Sequence, residues 1–413
     1  MTALRRFNSR TFAALAIPNY RRYFAGQAIS LVGTWMQTIA QGWLLLTLTG
    51  SGTELGILIA VQMTPVLVLG PYGGVVADRV DKRKLMMLVQ GGMGTLALIL
   101  GTLTATGAVQ VWHVFVLAGA LGLLTVFDNP TRQSFVLEMV GPEDLRNAVT
   151  LNSVLVNAAR AVGPAVAGVL IATVGVAVCF LVNAVSYIAV IASLATLNTT
   201  LLHRTVPTPR APGQLRDGLR YVRSTPTLAI PLAMMALIGT LAYEFQVVLP
   251  VVARGTFHGG PETYGFMTAA MGAGAVIGGL IVAGSGRTGV RAIVRAATAF
   301  GVAILLAAAA PDLTFELVAL TVVGACSVTF IAIGNSTLQL STRPDMRGRV
   351  MSLWAVAFLG TTPLGGPIAG FVAEQLGGRA GLVLGGVTCL VAAGLGVLAL
   401  RRAQALAPAS ASG

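Results

Sequence analysis

Long apolar runs alternate with short polar connections along most of this chain. Each run is close to the roughly 20 residues that an α-helix needs to cross a bilayer. The runs lack the apolar–polar alternation that a membrane β-barrel strand requires. They predict twelve transmembrane helices, at about 23–48, 54–77, 85–106, 110–133, 146–172, 176–196, 227–253, 262–285, 291–309, 313–338, 348–373 and 380–400.

Composition supports the same fold class. Hydrophobic residues make up 55% of the 413 residues and charged residues only 10%, whereas a soluble domain is about 25% charged. A polar stretch from Thr199 to Thr225 separates six runs from six. We therefore expect an all-α membrane protein with two pseudo-symmetric six-helix bundles, 1–198 and 227–413, joined by a cytoplasmic linker at 199–226.

The densest charge in the chain lies between the second and third runs. Six of the seven residues from Asp78 to Lys84 are charged. A charged knot between two membrane-length segments predicts a tight hairpin on one face of the bilayer.

Lys and Arg in the connections orient the chain, because cytoplasmic loops carry an excess of both. With the N-terminus in the cytoplasm, 24 of the 27 fall on that side. The net charge of +13 is then a topology signal, and we expect no nucleic-acid partner. The expected location is the bacterial inner membrane, with both termini cytoplasmic.

The two halves resemble copies of each other. Gly163-Pro164-Ala-Val-Ala-Gly168 is echoed by Gly366-Pro367-Ile-Ala-Gly370, and Gly73-Gly74 by Gly278-Gly279. The offsets are 203 and 205 residues. Such duplication is typical of secondary transporters with a midplane site between their halves.

Twelve runs in two sixes, with Gly74-x-x-x-Asp78-Arg79-x-x-x-Arg83-Lys84 after the second, resemble the major facilitator superfamily. Asp81 departs from the glycine usual there. Shorter segments resemble bacterial exporters grouped with the enterobactin exporter and, more distantly, macrolide efflux proteins. They include Gly33-Thr34-Trp35, Phe127-Asp128-Asn129-Pro130 and Gly141-Pro142-Glu143-Asp144-Leu145.

The resemblance implies a role for the hairpin as a latch between the two halves. The latch residues would be Gly74, Asp78, Arg79 and Arg83, with Asp128 on the fourth run joining a charge relay. Gly74 permits close helix approach, and Asp78 could face the positive end of another helix. The alternative is that these charges only hold the topology.

Polar residues inside the apolar runs are costly and mark candidate substrate or proton pathways. Arg160 lies near the middle of the fifth run, and Glu244 is the only carboxylate placed deep in the second half. A carboxyl group at that depth suits the loading and release of a proton. Each has an alternative: Arg160 as a bridging ion pair, and Glu244 as a side chain reaching the outer surface.

Gln37 and Gln41 share one face of the first run, and Asn335 lies on the tenth. With Trp35, the two glutamines could line a cavity wall for an amphiphilic substrate. Hydrogen bonding between helices is the alternative for all three amides.

Gly163, Pro164 and Gly168, with Gly366 and Pro367, are expected to bend and closely pack their helices. The first three resemble part of an antiporter motif. In the polar linker, Leu215, Leu219 and Val222 fall at helical spacing. They predict a short amphipathic helix on the inner membrane surface, with a solvated basic linker as the alternative.

Catalytic signals are lacking in the sequence. It contains no Gly-x-x-x-x-Gly-Lys-Ser/Thr loop, and its three cysteines lie inside apolar runs. We expect no enzyme activity, cofactor or metal. The leading hypothesis is a monomeric, proton-coupled exporter of a small organic molecule. An importer or uniporter is the alternative, and a non-transporting membrane sensor ranks lower.

Asp78→Asn tests the latch. The repeat keeps the glycines and positive charge of the hairpin but has Ala283 where the first copy has Asp78. Orientation needs only the shared features. We therefore expect the variant to insert normally and to lose transport, measured as substrate flux at matched membrane abundance. Normal flux would leave the hairpin as a topology signal alone.

Overall fold

The computed structural model describes residues 12–203, 214–343, 346–359 and 362–406, and within these ranges every regular element is a helix. Short 3₁₀ turns occur at Ala13–Ala16 and Thr199–Leu201. The α-helices are α1 Pro18–Thr49, α2 Gly52–Arg79, α3 Lys82–Ala105, α4 Val111–Thr173, α5 Val176–Ala195, α6 Gln214–Arg223, α7 Pro226–Leu241, α8 Phe245–Gly255, α9 Pro261–Ser285, α10 Val290–Ala308, α11 Leu313–Ser341, α12 Arg347–Leu359, α13 Thr362–Leu376 and α14 Gly378–Leu406.

Ten helical stretches of the described chain are long and apolar enough to cross a membrane. The stretch Val111–Thr173 has 63 residues, enough for two spans of about 20 residues each. Helix α1 is not among the ten, because Gln27, Gln37 and Gln41 interrupt its apolar sequence. The all-helical membrane class is thus confirmed.

The predicted connection between the fourth and fifth runs was wrong. Helix continues through residues 134–140, and the two segments are separated only at Gly141, with φ +72° and ψ 175°. An L-residue rarely adopts this conformation, whereas glycine does so freely. The next residue is Pro142, whose fixed φ suits the first turn of a new helix.

The seventh run was predicted as one helix over 227–253, and the structure divides it. Helix α7 ends at Leu241 and α8 begins at Phe245. The residues between them, Ala242 to Glu244, are not helical. A buried backbone break within an apolar run resembles the broken helices of transporters, which occur only where protein or a cavity lines them.

The helix predicted in the polar linker is present as α6. Its Val222 is buried in a cluster with Leu228 and Leu232 of α7 and Leu338 of α11. This end of the linker therefore packs on neighbouring helices. Arg210, Arg204 and the other residues of 204–213 lie outside the described ranges.

Contacts divide the chain into two compact units. Unit 1 comprises Met1–Thr49, Val61–Pro209 and Gly260–Ala269, and unit 2 comprises Gly50–Ala60, Arg210–Gly259 and Ala270–Gly413. Each is described separately below. The boundaries 1–198, 199–226 and 227–413 stay a prediction.

The repeated glycines make the same contact in each unit. In unit 1, a Cβ added to Gly73 of α2 would overlap the carbonyl oxygen of Val126 on α4. In unit 2, a Cβ on Gly278 of α9 would overlap the carbonyl oxygen of Ala325 on α11. Backbone-to-backbone contact of this kind needs a residue without a side chain.

Gly278→Ala is expected to lower the free energy of unfolding by about 1–3 kcal/mol, the usual cost of overpacking. The added methyl would lie 2.6 Å from Ala325 Cα, a backbone atom that cannot rotate away. Gly279→Ala is the matched control, since its nearest neighbour is 3.8 Å away. Thermal unfolding in detergent checks both. Equal melting temperatures for the two variants would contradict the packing argument.

Candidate functional site

The hairpin between α2 and α3 is a capped turn. Asp81 is the N-cap of α3, and its side chain accepts a hydrogen bond of 3.0 Å from the backbone N–H of Lys84. Asp is among the best N-cap residues, and its loss typically costs about 1 kcal/mol. The departure from the superfamily's glycine at this position therefore has a local structural reason.

Two basic residues of the hairpin bind other helices of unit 1. Lys82 Nζ lies 2.6 Å from Glu138 Oε1 of α4, and both side chains are buried. Arg83 donates to the carbonyl oxygens of Leu194 at 2.6 Å and Ala195 at 2.7 Å, the last residues of α5. A cation at a helix C-terminus satisfies carbonyls that have no partner within the helix. Lys82 and Arg83 thus fasten the hairpin to α4 and α5.

The other predicted latch residues are placed differently. Gly74 is buried, Asp78 is half-buried in the last turn of α2, and Arg79 is exposed. Among the described residues Asp78 has no hydrogen bond or ion pair. The latch between the two halves stays a prediction.

Asp128 lies inside a polar network of α3 and α4. Its carboxylate pairs with Arg132, one turn later on the same helix. It also accepts a hydrogen bond of 2.7 Å from Gln90 Nε2. The fourth run was predicted to end at residue 133, but the helix continues to residue 140, and the Arg132 side chain is only 21% exposed. Sequence reasoning missed Gln90, although an isolated Gln within an apolar run was a usable signal.

Arg160 is brought against Trp35. The guanidinium carbon lies 5.0 Å from the indole centroid, within the range of a cation–π interaction. One turn later, an added Cβ on Gly163 would lie 2.6 Å from Trp35 Cβ. The glycine therefore lets α1 approach α4 closely enough for the arginine to stack.

The two glutamines of α1 are both buried. Gln37 Oε1 accepts a hydrogen bond of 2.6 Å from Asn183 Nδ2 on α5, which is the interhelical bonding considered as its alternative role. Gln41 lies one turn further along the helix. Placement of both in a substrate pathway stays a prediction.

Glu244 lies at the break between α7 and α8, where it is the N-cap of α8. Its side chain is buried, and Oε1 has no hydrogen-bond partner within the described ranges. The neighbouring Tyr243 hydroxyl donates to the carbonyl oxygen of Ser327 on α11 at 2.8 Å. An added Cβ on Gly365 would lie 2.9 Å from Glu244 Oε1, so α13 comes close to the carboxylate because residue 365 is glycine.

Unit 2 contains a second buried carboxylate, at the start of an apolar run. Glu316, in the first turn of α11, is fully buried, and neither oxygen has a hydrogen-bond partner in the part of the chain that the structure describes. Nearby, Arg379 donates to the carbonyl oxygen of Ala310 at 2.5 Å. The signal was available, because residue 316 falls inside the apolar run that begins at 313. Asn335, further along α11, is half-buried and accepts a hydrogen bond from Gln339.

The predicted packing residues all lie at close helix contacts. Pro164 is inside α4 and Pro367 inside α13. In unit 1, an added Cβ on Gly168 would lie 3.2 Å from Gly265 Cα. In unit 2, an added Cβ on Gly366 would lie 2.8 Å from the Gly56 carbonyl oxygen. Close backbone contact is thus what these glycines provide.

Comparison with known proteins gives a consistent picture. Residues 9–412 match the family described as transmembrane secretion effectors. A staphyloferrin A transporter of Staphylococcus aureus (strain NCTC 8325 / PS 47) is 24% identical over 368 residues, covering 86% of this chain and 89% of that protein. The enterobactin exporter EntS of Escherichia coli O1:K1 / APEC is 26% identical over 370 residues, covering 86% of this chain and 85% of that protein.

A solved structure shares the fold. It is a bacterial homologue of the human lysosomal transporter Spinster, in an inward-facing and unoccupied conformation. It matches with a TM-score of 0.74 at 14% identity, covering 93% of this chain and 96% of that one.

The family match extends over nearly the whole chain, and the resemblance inferred from the loop motif and from the exporter-like segments is confirmed. The ten membrane-length stretches agree with it. The chain belongs to the transmembrane secretion effector family of the major facilitator superfamily, and it is a multi-span membrane transporter, not an enzyme.

Proposed function

We propose that this protein is a proton-coupled exporter of a small organic molecule, a siderophore, antibiotic or other drug-like compound, across the bacterial inner membrane. It works by alternating access between two six-helix bundles, as a monomer. The observation that carries the proposal is the buried carboxyl group of Glu244 at the break between α7 and α8.

The helices support the proposal of twelve spans. The ten membrane-length stretches become eleven when Val111–Thr173 is divided at Gly141. Helix α1, with 32 residues, is the twelfth. The distribution of Lys and Arg supports cytoplasmic termini.

Glu244 fits the role of proton carrier. An ionisable group inside a membrane protein is costly, and where it has no fixed counter-ion a functional role is the default hypothesis. Among the residues that the structure describes, none forms a hydrogen bond with Glu244 Oε1. An irregular backbone segment carries Glu244, so the side chain can change partners without breaking a helix. Asp128 differs in this respect, because Arg132 and Gln90 already hold it.

Aromatic groups near Glu244 suit an amphiphilic substrate. In unit 2, the Tyr243 and Phe358 rings meet edge to face at 4.9 Å, and Trp354 stacks on Phe358 at 5.7 Å. The Trp354 indole N–H is buried without an acceptor among the described residues. Flat apolar surfaces with a few polar groups are typical of sites for such ligands. The two relatives are named for the transport of staphyloferrin A and the export of enterobactin.

Glu244→Gln tests the coupling. Glutamine keeps the shape of the side chain but cannot exchange a proton at neutral pH. In proteoliposomes with an imposed pH gradient, we expect the variant to lose at least tenfold in gradient-driven flux and to keep exchange of substrate across a membrane at equal pH. Enterobactin and a macrolide serve as the two probes.

Glu262→Gln is the matched control. Its carboxylate Oε1 accepts from the backbone N–H of Gly260 at 3.1 Å, so we expect this variant to retain coupled flux. Wild-type flux that ignores the gradient would contradict proton coupling and favour a uniporter. Gradient-driven flux in Glu244→Gln would show that another group carries the proton. A lack of any flux with intact folding would favour the sensor hypothesis.

A further inference from the structure

Two apolar grooves lie on the outside of helix pairs, one in each unit. The first, between α1 and α5, is lined by Ala28, Ile29, Val32, Val182, Val185 and Ala189. The second, between α7 and α14, is lined by Ala233, Met234, Leu237, Ala392, Leu395 and Gly396.

The grooves are copies under the internal repeat. Ala28 and Val32 correspond to Ala233 and Leu237, each 205 residues apart. This is the spacing that relates Gly73 to Gly278. The same surface feature is therefore built twice, although the ionisable groups of the two units differ.

Both grooves are open to the surroundings of the protein. Ile29 is 57% exposed, Val185 is 64% exposed and Leu395 is 55% exposed. Large apolar side chains on membrane-spanning helices face lipid hydrocarbon. Along α7 the second groove extends from Ala229 to Leu237, about 12 Å at 1.5 Å per residue. This is close to the roughly 15 Å of one leaflet's hydrocarbon.

Each groove ends at an exposed arginine on its own helix face. Arg22 lies two turns before Ile29, and Arg402 lies two turns after Leu395, so both continue the lining stripe. Arg22 donates to the carbonyl oxygen of Thr196 at 2.8 Å, so its side chain crosses from α1 to the end of α5. Arg21 and Arg401 add a second exposed guanidinium at each end.

We propose that each groove binds an acyl chain of an anionic phospholipid, with the lipid phosphate held by Arg22 in one groove and Arg402 in the other. A guanidinium has five N–H donors, so Arg22 keeps donors free after its bond to Thr196. Its planar fork matches phosphate oxygens in a bidentate geometry. The proposal concerns the surface of the protein and does not depend on which substrate is transported.

Native mass spectrometry of the full-length protein tests this, using micelles that contain phosphatidylglycerol or phosphatidylcholine and no substrate. We expect two phosphatidylglycerol molecules per chain to be retained under conditions that remove phosphatidylcholine. Arg22→Gln and Arg402→Gln should each weaken one site about fivefold, the effect expected for one cation near anionic lipid. Arg287→Gln is the control and should change nothing, because Arg287 is exposed and lines neither groove.

Groove-filling variants separate the tail from the headgroup. Ala233 is exposed, so Ala233→Phe can occupy the second groove without disturbing the interior, and one bound lipid should be lost. Equal retention of the two lipids, or an unchanged count in Ala233→Phe, would overturn the proposal. A dimer that this variant abolishes would show that a second copy fills the groove instead. Because no substrate is present, failure of the export hypothesis would leave this result unaffected.

Discussion

The structure depends on helices that contact each other backbone to backbone, at residues without a side chain. Lipid tails are as apolar as the helix surfaces, so burial of apolar area gives little reason for helices to associate, and close packing must do so instead. The glycines at 73, 168, 278 and 366 each place one helix against the main chain of another. These backbone contacts set the spacing of the helices that they join.

The buried ionisable side chains of the described residues fall into two classes, those paired with an opposite charge and those not paired. Lys82 with Glu138, and Arg132 with Asp128, are paired within unit 1. Removing one member of a buried pair typically costs about 3–5 kcal/mol, because it leaves the other charge uncompensated. Glu54, Glu244 and Glu316 of unit 2 have buried oxygens without a hydrogen-bond partner among the described residues. The paired carboxylates of unit 1 thus have little freedom to exchange a proton, whereas these three are not held by such pairs.

The sequence predicted those features of the fold whose pattern extends over many residues or occurs twice. Apolar runs of about 20 residues located the helices, and the repeated glycines located backbone contacts that a single copy would not have revealed. Three features of the structure were not predicted from the sequence. The break at 242–244 is three residues within an apolar run, too short to alter hydropathy. The extension of α4 over 134–140 is polar enough to resemble a loop. The burial of Glu316 was not predictable from its position near the start of a run, because burial depends on neighbours that are distant in sequence.

The joint at Gly141 has a mechanical consequence. It connects two helical segments, 111–140 and 142–173, each about 45 Å or more in length at 1.5 Å per residue. No flexible loop intervenes to absorb motion. A rotation of 5° about this one residue would displace the far end of either segment by about 4 Å, nearly the pitch of a helical turn. A small torsional change at a single glycine is thereby amplified across the thickness of the membrane.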